Sequence, residues 1–212
     1  MNAQVLFLEG QRSFTKEEKS RIRALISFIF KDTKEMLGIK HTVIFSFFKS
    51  GARMDGYTVA GDWIRITLPE KKSSFKELPA YIYHELHHIA RSYSEAQNIQ
   101  NKINLLDMLV AEGMATYFEM QKVKGIPFPH GQYQIKDLRK HFKLLEANLA
   151  ATNIDYFEWF LGATKKLPYQ FGYKMGKYII DQVFAHNPKI TIAQLTKMPT
   201  ARIWKLSKIN LD

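Results

Sequence analysis

Residues 84–88 read His-Glu-Leu-His-His, three histidines and a carboxylate in five positions of a chain that has seven histidines in all. On a helix, positions four apart stand one turn above each other, so His84 and His88 aim their imidazoles at one point. Neutral imidazole is a good zinc ligand, and two at this spacing make half of a tetrahedral site. Glu85 projects roughly 100 degrees round from His84, beside such an ion rather than onto it. There a carboxylate can take a proton from a water whose pKa the metal has lowered. His87 offers another pairing with His84 but fits better as a packing or supporting residue. The competing reading is a helix that is merely rich in histidine; the full H-E-x-x-H spacing favours the metal.

The motif needs a helix, and its surroundings specify one. Leu78, Ile82, Leu86 and Ile89 recur at helical spacing, Ser74-x-x-Glu77 has the form of a capping box, and Pro79 falls where a first turn tolerates it. Upstream, residues 5–8 read as a short strand. Thr15-x-x-Glu18 opens a helix carrying Ile22, Leu25, Ile26, Ile29 and Phe30, which stops near Gly38. Residues 42–48 are aromatic and β-branched, hence a strand. Residues 49–62 hold Gly51, Gly56 and Gly61 and read as a hairpin connection. Residues 62–68 alternate, with Ile64, Ile66 and Leu68 on one face and Trp63, Arg65 and Thr67 on the other, until Pro69 ends the strand.

Beyond the motif the pattern is helical: about 103–122, ending at Gly125, then roughly 135–150, 155–166, 169–186 and 191–208. The expectation is an α+β fold, a small N-terminal mixed sheet packed on helices, then the motif helix, then an all-helical C-terminal part. A single domain over 1–212 is expected, with sheet and motif helix in 1–92 and the helical part in 93–212.

Composition narrows the classes. The 212 residues are 46% hydrophobic and 24% charged, enough to bury one good core and unlike a disordered chain. Cysteine is absent, which removes disulfides, thiolate metal sites and Cys nucleophiles and fits a reducing cytoplasm. Neither an export signal nor a membrane-spanning segment is expected, since the longest apolar run is broken at Ser27. The net charge of +11 raises an anionic partner. However, the basic residues are scattered, with Lys71-Lys72 and Lys165-Lys166 the only Lys-Lys pairs, and no nucleic-acid motif accompanies them. No specific nucleic-acid partner is expected.

Two histidines leave a zinc site incomplete. In one large class the pattern continues HExxHxxGxxH, but here Arg91 and Ser94 occupy the last two positions. A cysteine-completed site is equally excluded. The remaining pattern draws a Glu from the following helix, where Asp107, Glu112 and Glu119 are candidates. Glu112 is favoured, because Gly113 and Ala115 beside it would let its helix approach the motif helix closely, in an antiparallel pair joined by the polar connection 94–102. An ordinary solvated carboxylate is the other reading.

His84-Glu85-Leu86-His87-His88, followed 24 residues later by Glu112-Gly113-Met114-Ala115-Thr116-Tyr117-Phe118-Glu119, resembles the gluzincins, zinc metallopeptidases whose HExxH is completed by a downstream Glu. With a later Gly172-Tyr173-x-x-Gly176, the order resembles a bacterial family of predicted zinc-dependent proteases over roughly residues 63–181. The resemblance implies a zincin-like fold, one Zn2+ per chain held by His84, His88 and Glu112, and Glu85 as general base and acid. It implies Tyr173 as a donor to the developing oxyanion, a position a packing tyrosine would fill equally well. It also implies a peptide or protein substrate lying along residues 62–68, near Trp63 and Arg65. The Gly-x-Met-Glu-Asn type motif that grips a substrate amino terminus in the aminopeptidases is missing. Two other classes compete: a non-catalytic binding module on the same scaffold, and a basic protein binding nucleic acid or an anionic membrane.

Overall fold

Thr15 opens the first helix in the way its spacing to Glu18 predicts. The structure, a computed structural model, describes residues 3–8, 12–51, 53–70, 75–100 and 102–211. In it the Glu18 N–H donates to the Thr15 hydroxyl and the Thr15 N–H donates to the Glu18 carboxylate at 2.8 Å. The helix so started, α1 (Lys16–Leu37), ends at Gly38, whose φ of 73° is the left-handed cap that glycine adopts without a Cβ penalty. The corresponding box expected at Ser74 lies outside the described residues.

The chain divides into two compact units, Met1–Ala96 with Lys122–Ile126, and Gln97–Gln121 with Pro127–Asp212. The first holds the sheet: β1 (Ala3–Phe7), β2 (Val43–Lys49), β3 (Asp55–Ala60) and β4 (Trp63–Leu68), in the order β1-β2-β4-β3. β1 pairs parallel with β2 and β2 with β4, while β3 runs antiparallel to β4. The α+β expectation is met. Val43, Phe45, Phe47, Ile64, Ile66 and Leu68 are all buried, each such side chain contributing about 1.5–3 kcal/mol. They face α1 and α2 (Leu78–Arg91), which pack on the sheet and on each other. Tyr83 helps join the helices, its hydroxyl donating to Asp32 on α1 at 3.4 Å; burial, then the Asp32 charge, pushes its phenol pKa up to about 12.

Two expectations are corrected. Residues 49–62 are not simply a hairpin connection, because 55–60 form β3. Tyr57, Thr58 and Val59 favour a strand, and Gly56 sits inside it where α2 comes close: a Cβ there would stand 3.2 Å from the Tyr81 ring. In consequence β4 is paired on both sides, so residues 62–68 present no open ladder edge; the end strands are β1 and β3. Trp63 and Arg65 serve the sheet instead, the indole N–H donating to the Ser46 hydroxyl at 2.8 Å and the guanidinium lying 4.1 Å from the Phe48 ring centroid.

A short α3 (Glu95–Ile99) occupies part of the expected polar connection. The described residues of the second unit are helical with no strand: α4 (Leu105–Lys122), a 3-10 turn at Pro129–Gly131, α5 (Ile135–Arg139), α6 (Phe142–Asn148), α7 (Tyr156–Leu161), α8 (Phe171–His186), α9 (Ile192–Thr196) and α10 (Thr200–Ser207). The helix expected over 135–150 is therefore two, as is that over 191–208, where Pro199 forces the break. At the centre is α8, which burys Phe171, Met175, Ile179, Ile180 and Val183 against neighbours that include α5, α7 and α10. Among the described residues no helix is long and apolar enough to cross a membrane.

Candidate active site

α2 is buried along most of its length: residues 82–89, the four polar ones included, all lie in the interior. Each buried polar group left without a partner would cost about 1–3 kcal/mol, so a helix that needed only to pack would carry apolar residues here. The His84 and His88 rings stand 4.7 Å apart, nearly perpendicular. One ligand atom from each of His84, Glu85 and His88 lies within 4.8 Å of the others. The set fits zinc in chemistry: two imidazole nitrogens from successive turns, with the Glu85 carboxylate close beside them.

His87 is fully buried on the same helix, and burial, reinforced by the charges of His88, Arg91 and His84, holds its imidazole well below the usual pKa. It stays neutral. The rings of His88 and Tyr93 lie 4.7 Å apart, just past the point where Ser92 ends the helix in a left-handed conformation.

β3 lies against this cluster. The Thr58 hydroxyl donates to Glu85 Oε2 at 2.9 Å, and both residues are buried. Two positions earlier on the same strand face, a Cβ on Gly56 would lie 3.7 Å from Glu85 Oε1. The Tyr81 hydroxyl donates to the Met54 carbonyl at 3.2 Å, fixing the start of the strand to the helix.

The other expected residues belong to the second unit. Glu112 is buried on α4, next to Gly113. The close partner of Gly113 is Gly176 of α8: a Cβ on Gly113 would stand 2.1 Å from the Gly176 carbonyl carbon, and one on Gly176 2.1 Å from the Leu109 carbonyl oxygen. The helices cross backbone against backbone, with Glu112 adjacent to the crossing and Tyr173 one turn before it on α8. The Tyr173 hydroxyl shares a 2.6 Å hydrogen bond with that of Tyr156, and its ring lies 5.8 Å from that of His130. His130 in turn bonds the buried Glu119 at 2.5 Å. Of the alternative carboxylates, Asp107 lies in the first turn of α4, and its N–H donates to the capping Asn104 Oδ1 at 2.9 Å. Sequence reasoning missed Thr58, Tyr156 and His130, whose local context carries no spacing signal; each is recruited by a partner distant in the chain.

A family model described as "Predicted Zn-dependent protease (DUF2268)" matches residues 48–205. That range takes in β3, β4, α2, α4 and α8. No curated protein matches. Among solved structures, an aminopeptidase N family protein from Idiomarina loihiensis is similar, with 13% identity, a TM-score of 0.51, and coverage of 96% of this chain and 38% of that one. At this identity the likeness is one of fold, and this chain spans well under half the length of that protein.

Proposed function

This chain belongs to the family of predicted Zn-dependent proteases, and from that premise we propose that it is a zinc-dependent hydrolase, a peptidase of the gluzincin type, acting as one domain over residues 1–212. The buried His84, Glu85 and His88 cluster on α2 carries the proposal. His84 and His88 supply two ligands to a single zinc ion, and Glu112 supplies the third. Glu112 is supported by its burial, by its place within the matched family region and by the helix crossing beside it.

When bound, zinc polarises the carbonyl of the scissile amide and makes water acidic enough to attack it near neutral pH. Glu85 takes the proton from the attacking water and returns it to the leaving amine. Tyr173, aligned through Tyr156, donates a hydrogen bond to the oxygen on which charge develops. An extended peptide adds itself to the outer edge of β3, an end strand of the sheet among the described residues.

The test is digestion of a peptide library by zinc-loaded protein. Cleavage that a chelator stops and zinc restores is the expected result, and Glu112→Ala should weaken zinc binding by more than the roughly 10–100-fold that losing a mere supporting group costs. An intact library in the presence of metal-replete protein would overturn the hydrolase reading in favour of a non-catalytic zinc scaffold.

A further inference from the structure

We propose that Thr58, on the edge strand β3, is a positioning residue for the Glu85 carboxylate. The inference rests on the hydrolase reading and adds a residue to it.

Three observations converge on Thr58. Its hydroxyl lies 2.9 Å from Glu85 Oε2 and 3.3 Å from the Glu85 carbonyl oxygen, so its single proton goes to the nearer acceptor, the carboxylate oxygen. Secondly, the ladder between β3 and β4 is irregular immediately after it, between Thr58 and Ala60. A bulge re-aims side chains and is often found beside active sites. Thirdly, the strand packs closely on the helix here: a Cβ on Gly56 would stand 3.2 Å from the Tyr81 ring and 3.7 Å from Glu85 Oε1.

Packing alone does not call for a threonine here. Valine has the same shape and an equal preference for strands, and it would leave no hydroxyl to satisfy under a buried helix. Thr33 shows the ordinary solution, a local bond to the Ile29 carbonyl one turn back on its own helix. Thr58 instead reaches a carboxylate 27 residues away. With Oε2 held by this bond, the rotation of the carboxylate is restrained. Because Thr58 stands on the strand to which substrate would add, binding along β3 and the aim of the base are coupled through one element.

The experiment compares zinc-loaded wild type, Thr58→Val and Thr58→Ser on a peptide that wild type cleaves, beside crystal structures of wild type and Thr58→Val. Thr58→Val should lower kcat roughly 10–100-fold with KM within about twofold, and Thr58→Ser should restore kcat to within about threefold of wild type. Zinc content and thermal midpoint should match wild type in both, and the Glu85 carboxylate should be rotated in the valine variant. A valine variant with wild-type kcat and an unmoved carboxylate would overturn the proposal. If wild type cleaves nothing, the hydrolase reading fails by itself, and the crystallographic comparison still decides whether Thr58 sets the position of Glu85.

Discussion

Glu85→Gln is expected to keep zinc at the wild-type level and to lose turnover by a factor of about 100 to 10,000, the usual contribution of a placed general base. That is about 3–5 kcal/mol in the barrier. Glutamine preserves length and shape, and its amide oxygen can still accept the Thr58 hydroxyl that Glu85 Oε2 accepts at 2.9 Å. His84 and His88 are untouched. What disappears is the ability to take up a proton. The measurement is kcat on a cleavable peptide, with zinc counted in the same sample. Wild-type turnover in a zinc-replete Glu85→Gln protein would remove Glu85 from the mechanism, whatever the fate of the metal.

Gly113→Ala and Gly176→Ala should be the most damaging small substitutions outside α2. Each new Cβ would stand 2.1 Å from a backbone atom of the opposite helix, and backbone cannot swing aside as a side-chain tip can. Overpacking of this kind costs about 3 kcal/mol or more. Alanine recovers about 1 kcal/mol through its better helix propensity. The net loss of about 2 kcal/mol corresponds to a thermal midpoint lower by roughly 4–8 °C in a chain of this size. The crossing also carries Glu112 and lies one turn from Tyr173, so zinc affinity should fall with stability. Gly61→Ala is the control, because a Cβ there meets nothing within 4 Å. Equal midpoints and equal zinc affinity in all three variants would show that the crossing positions nothing.

Features set by neighbours in the chain were legible in the sequence. The Thr15 capping box, the alternation of Ile64, Ile66 and Leu68, and the one-face alignment of His84 and His88 each depend on only a few consecutive residues, and each is present. Gly56 was misread because a glycine between two others resembles a turn. In the structure it is a strand glycine, in close contact with the Tyr81 ring. Gly113 was rightly seen as a point of close approach, but its observed partner is Gly176, 63 positions further along, and no local pattern names a partner at that distance. Thr58 was invisible for the same reason, since its importance comes from an acceptor on another element.

Metal content tests the central claim most directly. Purified wild-type protein and His84→Ala are each supplied with zinc, dialysed and analysed by mass spectrometry for metal per chain. The account predicts about one zinc per wild-type chain, and its loss from the variant while the fold is retained. Wild-type protein that takes up no zinc, or a His84→Ala variant that holds it as well, would contradict it and leave residues 84–88 as a buried, histidine-rich helix.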